Sequence, residues 1–88
     1  MNANHNMFSN YYRIMEYIYN NQITINDVTF APVTQTDIAT YMKCDRMTVN
    51  KIIAQMKEDG MLIQSKKKTK QYQLTDEANR IIRAIKRI

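Results

Sequence analysis

Residues 36–62, TDIATYMKCDRMTVNKIIAQMKEDGML, place apolar side chains at the intervals of two short helices joined by a tight turn. Ile38 and Ala39 lie on the first helix, Met42 and Cys44 around the turn, and Val49 and Ile52 on the second. Helices that bury this set cross closely and leave the outer face of the second open to a DNA groove.

The punctuation around this stretch sets its boundaries. Thr34, three residues before Asp37, can cap a helix starting near Gln35, and the Asp37 carboxylate suits that helix's positive end. Lys43-Cys44-Asp45 contains the turn, with Asp45 an N-cap for a helix running from about Arg46 to Asp59. Gly60, the only glycine in the chain, fits the left-handed position after it. Val49, Ile52, Ile53 and Met56 recur at three- and four-residue spacing and face inward, which turns Met47, Asn50, Lys51 and Ala54 outward, with Arg46, Thr48 and Gln55 at the flanks.

Downstream, Met61–Gln64 and Gln71–Leu74 read as two strands of a hairpin around the lysine-loaded connection Ser65 to Lys70. Thr75 can cap a last helix with Asp76 and Glu77 in its first turn; Ala78, Ile81, Ile82 and Ile85 form its inward stripe, with Arg80, Arg83 and Arg87 on the other side. Upstream, residues 1–6 carry no periodic pattern and are expected to be mobile, ahead of one domain over residues 7–88. A helix is expected from Met7 to Asn20, with one stripe of Tyr11, Ile14, Met15 and Ile18 and a second of Phe8, Tyr12, Met15 and Tyr19. That width suits contact with another subunit, or tyrosines lying half exposed with wet hydroxyls. Asn20, Asn21, Asn26 and Asp27 break the pattern. The β-branched residues between Ile23 and Val33 suggest a loop leading into a short strand, with Pro32 near its end.

Composition narrows the function. The 88 residues carry a formal net charge of +5, a bias toward polyanionic partners, and are enough for one modest core. The charge is unevenly placed. Up to residue 42, Arg13 stands against Glu16, Asp27 and Asp37, whereas Lys43, Arg46, Lys51, Lys57, Lys66, Lys67, Lys68 and Lys70 follow against Asp45, Glu58 and Asp59. One Cys, one His and one Gly offer no disulfide, no zinc-ligand set, no phosphate-cradling loop and no evident nucleophile-base pair, so neither an enzyme nor a bound metal or cofactor is expected. No run approaches the roughly 20 apolar residues of a membrane span, and MNANHN is not a secretory signal, so a cytoplasmic protein is expected.

A helix pair followed by Gly60, a strand, a basic hairpin, a strand ending in YQLTDEA and a closing helix resembles the winged helix-turn-helix domains of bacterial transcription regulators, most of all MarR-like proteins. The resemblance covers about residues 34–80. It implies an α+β, mainly α fold: helix, short strand, helix, helix, two-stranded wing and C-terminal helix. Lys43 stands where the family's turn usually has a glycine, so it takes that geometry at some steric cost unless the turn is of another type.

From these readings the expected DNA-binding set is Thr36, Lys43, Arg46, Met47, Thr48, Asn50, Lys51, Gln55, Lys66, Lys67, Lys68 and Lys70. Arg46 suits guanine, Asn50 or Gln55 adenine, and Met47 a thymine methyl, while Thr48, Lys51 and the wing lysines suit phosphates. Cys44, between Lys43 and Arg46, reads as a small buried residue, with a redox-sensitive thiol as the alternative. The expected protein is a transcription regulator on double-stranded DNA, a repressor acting as a homodimer through its N- and C-terminal helices. The alternative is a winged helix that binds an acidic protein partner, or an accessory subunit in replication or plasmid maintenance.

Overall fold

A computed structural model describes residues 3–63 and 72–87, with side chains from Asn10 onward. Helix α1 (Ala3–Asn20) starts ahead of the expected Met7. Its residues Ile14, Met15 and Ile18 are buried, as their shared face predicts, and Tyr11, Tyr12 and Tyr19 pack partly against the same core. The tyrosine hydroxyls find carboxylates: Tyr11 donates to Asp59 at 2.8 Å and Tyr12 to Glu16 at 3.1 Å.

Residues 23–30 correct the sequence reading. Where a loop into one short strand was expected, β1 (Ile23–Ile25) and β2 (Val28–Phe30) form an antiparallel hairpin. Asn26 and Asp27 make its two-residue turn at φ 51° and 65°. A two-residue loop with both φ values positive matches the right-handed twist of its flanking strands, and Asn and Asp tolerate that geometry best after glycine. Ile23 pairs with Phe30 and Ile25 with Val28, which puts these four on one face. Thr24 and Thr29 face the other way with hydroxyls 2.8 Å apart.

The hairpin continues into the wing. Ala31 and Tyr72 exchange backbone hydrogen bonds of 2.8 and 3.0 Å, and Pro32, which lacks a donor, follows where pairing stops. Leu74 bridges to Leu62. The two wing strands expected over 61–64 and 71–74 are thus reduced, among the described residues, to this bridge, made by the Ile63 N–H bond to the Gln73 carbonyl and the Thr75 N–H bond to the Met61 carbonyl. Residues 64–71 lie outside the described residues.

Three caps start the remaining helices: Thr34 for α2 (Gln35–Met42), Asp45 for α3 (Arg46–Glu58) and Thr75 for α4 (Asp76–Lys86). Each offers a side-chain oxygen to a free N–H of the first turn. Thr75 also donates its hydroxyl to the Gly60 carbonyl at 2.8 Å, tying the end of α3 to the start of α4. Gly60 sits at φ 77°, the left-handed conformation expected of it.

Helix α1 contacts α2, α3 and α4, and α2 packs on α3. On α4 the inward stripe is narrower than expected. Ala78 and Ile82 are fully buried, whereas Ile81 and Ile85 are 37% and 42% exposed. Residues 78 and 82 are one helical turn apart and face α1, while 81 and 85 form the neighbouring row, which stays partly exposed among the described residues. Among the described residues no helix is long and apolar enough to cross a membrane.

Candidate nucleic-acid interface

The α2–α3 pair is held by local chemistry at both ends. At the start of α2, the Asp37 N–H donates to the Thr34 hydroxyl at 3.0 Å and the Thr34 N–H to the Asp37 carboxylate at 2.9 Å, a reciprocal capping box. Between the helices Lys43 takes φ 57°, ψ 45°, the left-handed geometry implied by the resemblance rather than a turn of another type. The Asp45 carboxylate then accepts from the Thr48 N–H at 2.7 Å. Hydrogen bonds from Thr48, backbone before side chain, hold its carboxyl below the ordinary carboxylate range.

The strain at Lys43 is testable. A side chain in this conformation costs about 1 kcal/mol that glycine avoids, partly offset by the greater freedom glycine gains when unfolded. Lys43→Gly should raise unfolding stability by roughly 0.5 kcal/mol, read as a higher urea midpoint with unchanged slope.

Because α3 buries Val49, Ile52, Ile53 and Met56, its opposite face is open. Arg46, Met47, Asn50, Lys51, Ala54 and Gln55 are exposed and Thr48 is half-buried; Met47, at 70% exposure, is an apolar side chain standing in solvent. Thr36 and Lys43, from α2 and the turn, are exposed beside them. The structure therefore brings eight of the expected contact residues onto the surface of one helix pair. Lys66, Lys67, Lys68 and Lys70 lie outside the described residues. Cys44 is half-buried and packs on the core.

Two expected base-reading amides prove to be engaged. Gln55 donates to Asp59 at 2.9 Å, and Asp59 also accepts from Tyr11, so this amide is drawn to the far end of α3. Burial first, then the Asp59 hydrogen bond and charge, push the Tyr11 hydroxyl's pKa well above its ordinary value. Near the start of α3, the Gln35 amide donates to the Asn50 carbonyl oxygen at 3.2 Å. Behind them Tyr72 is buried. Burial raises its pKa, and the neighbouring Gln35 amide and Arg46 charge pull partly the other way. Neither Gln35 nor Tyr72 was in the expected set. Each is far from Asn50 in sequence, and only the fold brings them together.

Among the described residues no three of His, Cys, Asp and Glu gather to hold a metal ion. The arrangement is a convex basic and amide-bearing helix face beside the base of a hairpin, suited to entering a groove rather than enclosing a small molecule.

Comparison with known proteins agrees. A family model described as a Crp-like helix-turn-helix domain matches residues 12–79. Among solved structures, the reduced Fe(II) CO-sensing protein from R. rubrum superposes with a TM-score of 0.74 at 17% identity, covering 89% of this chain and 36% of that one. A CRP/FNR-family transcriptional regulator from Thermus thermophilus gives 0.57 at 15% identity, with 94% and 41% covered. Reduced CprK without ligand gives 0.54 at 16%, with 92% and 39% covered. The chain thus spans about two fifths of these structures, and at such identities the likeness is one of fold. A search of curated protein sequences finds no match. The MarR-like resemblance is corrected: the matched family is Crp-like. The cap, turn and glycine signals behind that resemblance specify how two helices and a wing fold, which winged-helix families share, and so do not separate one from another.

Proposed function

This chain belongs to the Crp-like helix-turn-helix domain family of DNA-binding transcription regulators, and from that membership we propose that it reads specific duplex sequences by laying α3 in the major groove. The observation that carries the reading is the division of α3 into a buried Val49, Ile52, Ile53, Met56 face and an open Arg46, Met47, Asn50, Lys51 face. Arg46 meets guanine, Met47 a thymine methyl, and Thr36, Lys43, Thr48 and Lys51 the flanking phosphates. Lys66, Lys67, Lys68 and Lys70 add phosphate contacts from the wing.

One recognition helix and one wing offer little area, so the working form is a homodimer on two half-sites, acting as a repressor by occlusion. The uncovered Ile81 and Ile85 of α4 support an interface through the C-terminal helix, joined by the start of α1.

Selection from a random duplex pool tests this reading. An enriched inverted repeat is the expected result, and affinity for it should fall steeply with salt. Changing Lys66, Lys67 and Lys68 together to Ala should flatten the log–log salt slope by roughly 0.9 per phosphate contact removed. Indifference to duplex DNA even at low salt would leave the protein-binding alternative in front. In that alternative the basic face of α3 and the wing binds an acidic protein partner.

A further inference from the structure

We infer that Gln35, on α2, sets which base Asn50 reads on α3, by holding the Asn50 side-chain oxygen inward and leaving its amide N–H groups to face the DNA. This rests on the major-groove reading above and narrows it to one base position.

The geometry is a relay across the helix pair. Gln35 is the first residue of α2, directly after its Thr34 cap, so its backbone is held by the capping box. Its amide nitrogen donates to the Asn50 oxygen at 3.2 Å. The Gln35 nitrogen carries two hydrogens and no acceptor capacity, which matches it to the Asn50 oxygen that stands opposite. The buried Tyr72 lies beside the same amide. With the Asn50 oxygen turned toward α2, its nitrogen points the opposite way, into the groove.

This orientation has a chemical consequence. Bidentate reading of adenine needs both ends of the Asn amide, the oxygen accepting from N6 and the nitrogen donating to N7. An Asn50 that shows only donors meets two acceptors on guanine, O6 and N7, and only one on adenine, whose N6 donor opposes it. Guanine is therefore the preferred base opposite Asn50, in place of the adenine that an unrestrained asparagine selects. Gln35 is a positioning residue: it touches no base in this scheme and acts through Asn50.

The test is sequence selection from a random duplex pool by the wild-type chain and by Asn50→Ala, Gln35→Ala and Gln35→Glu. Asn50→Ala identifies the position concerned, because preference there should vanish. The wild type should hold guanine at that position. Gln35→Ala frees the amide to rotate and should swing the guanine-to-adenine ratio by about 10-fold toward adenine. Gln35→Glu supplies a carboxylate that accepts from the Asn50 nitrogen, turning its oxygen outward and moving the preference to adenine or cytosine, which offer donors. A lesion that merely loosened α2 would weaken binding at every position without exchanging one base for another.

Adenine held by the wild type at the Asn50 position, or a preference that neither Gln35 variant moves, overturns this inference and leaves the DNA-reading function standing. A base preference that survives Asn50→Ala everywhere also overturns it. No enriched sequence from the wild type at all overturns the function, and this inference with it.

Discussion

Ile18→Ala should cost roughly 2–5 kcal/mol of unfolding stability, the usual toll for a large aliphatic side chain removed from a site that cannot collapse around the gap. Ile18 is fully buried on α1, which among the described residues contacts α2, α3 and α4 alike. A cavity there weakens the helix around which the other three pack. A chain of this length has total stability on the order of 4–13 kcal/mol, so the loss is a large share of the total and should lower the urea midpoint clearly. Urea denaturation followed by circular dichroism measures it. Ile81→Ala is the matched control. Being 37% exposed on the uncovered row of α4, it should cost under about 1 kcal/mol, well below a core truncation. Equal losses in the two variants would mean that α4 is docked by the wider stripe its sequence suggests rather than by Ala78 and Ile82 alone.

That comparison marks where sequence reasoning stopped. Features that depend on a few neighbouring residues were legible: the Thr34–Asp37 box, the Asp45 and Thr75 caps, Gly60 past the end of α3, and the buried row of α3. In each case one side chain's chemistry answers one backbone requirement within about four residues. The β1–β2 hairpin was legible in principle, since Asn26-Asp27 between Ile-Thr-Ile and Val-Thr-Phe is a two-residue turn between β-branched runs. The same polar residues also fit a helix break, so local chemistry alone does not choose between the two. What lay beyond local chemistry was lost. Whether Ile81 is buried depends on how much of α4 the other elements reach. Which way the amides of Asn50 and Gln55 point depends on Gln35 and Asp59, one of them fifteen residues away across the fold. A periodic pattern can assign a side chain to the outer face of a helix but carries no information about the hydrogen bond that turns it there.

The second large effect separates binding from stability. Arg46 is the first residue of α3, directly after the Asp45 cap, where the helix dipole disfavours a cation by about 0.3–1 kcal/mol. The adjacent Asp45 carboxylate offsets that cost, so the Arg46 charge adds little net stability and is open to a partner outside the fold. Lys51 is exposed one turn further along. Arg46→Glu combined with Lys51→Glu should leave the melting temperature nearly unchanged, because a favourable charge at the helix start offsets repulsion from the adjacent Asp45. Binding to a selected duplex should fall by at least about 100-fold: the guanine contact alone is worth about 1–3 kcal/mol, and two repulsive charges now face phosphates. Fluorescence anisotropy on the selected duplex and on a scrambled one, with melting curves alongside, reads both effects. Unfolding of the double variant would mean that these side chains hold the monomer together. Intact folding with undiminished affinity would move the DNA contact away from α3.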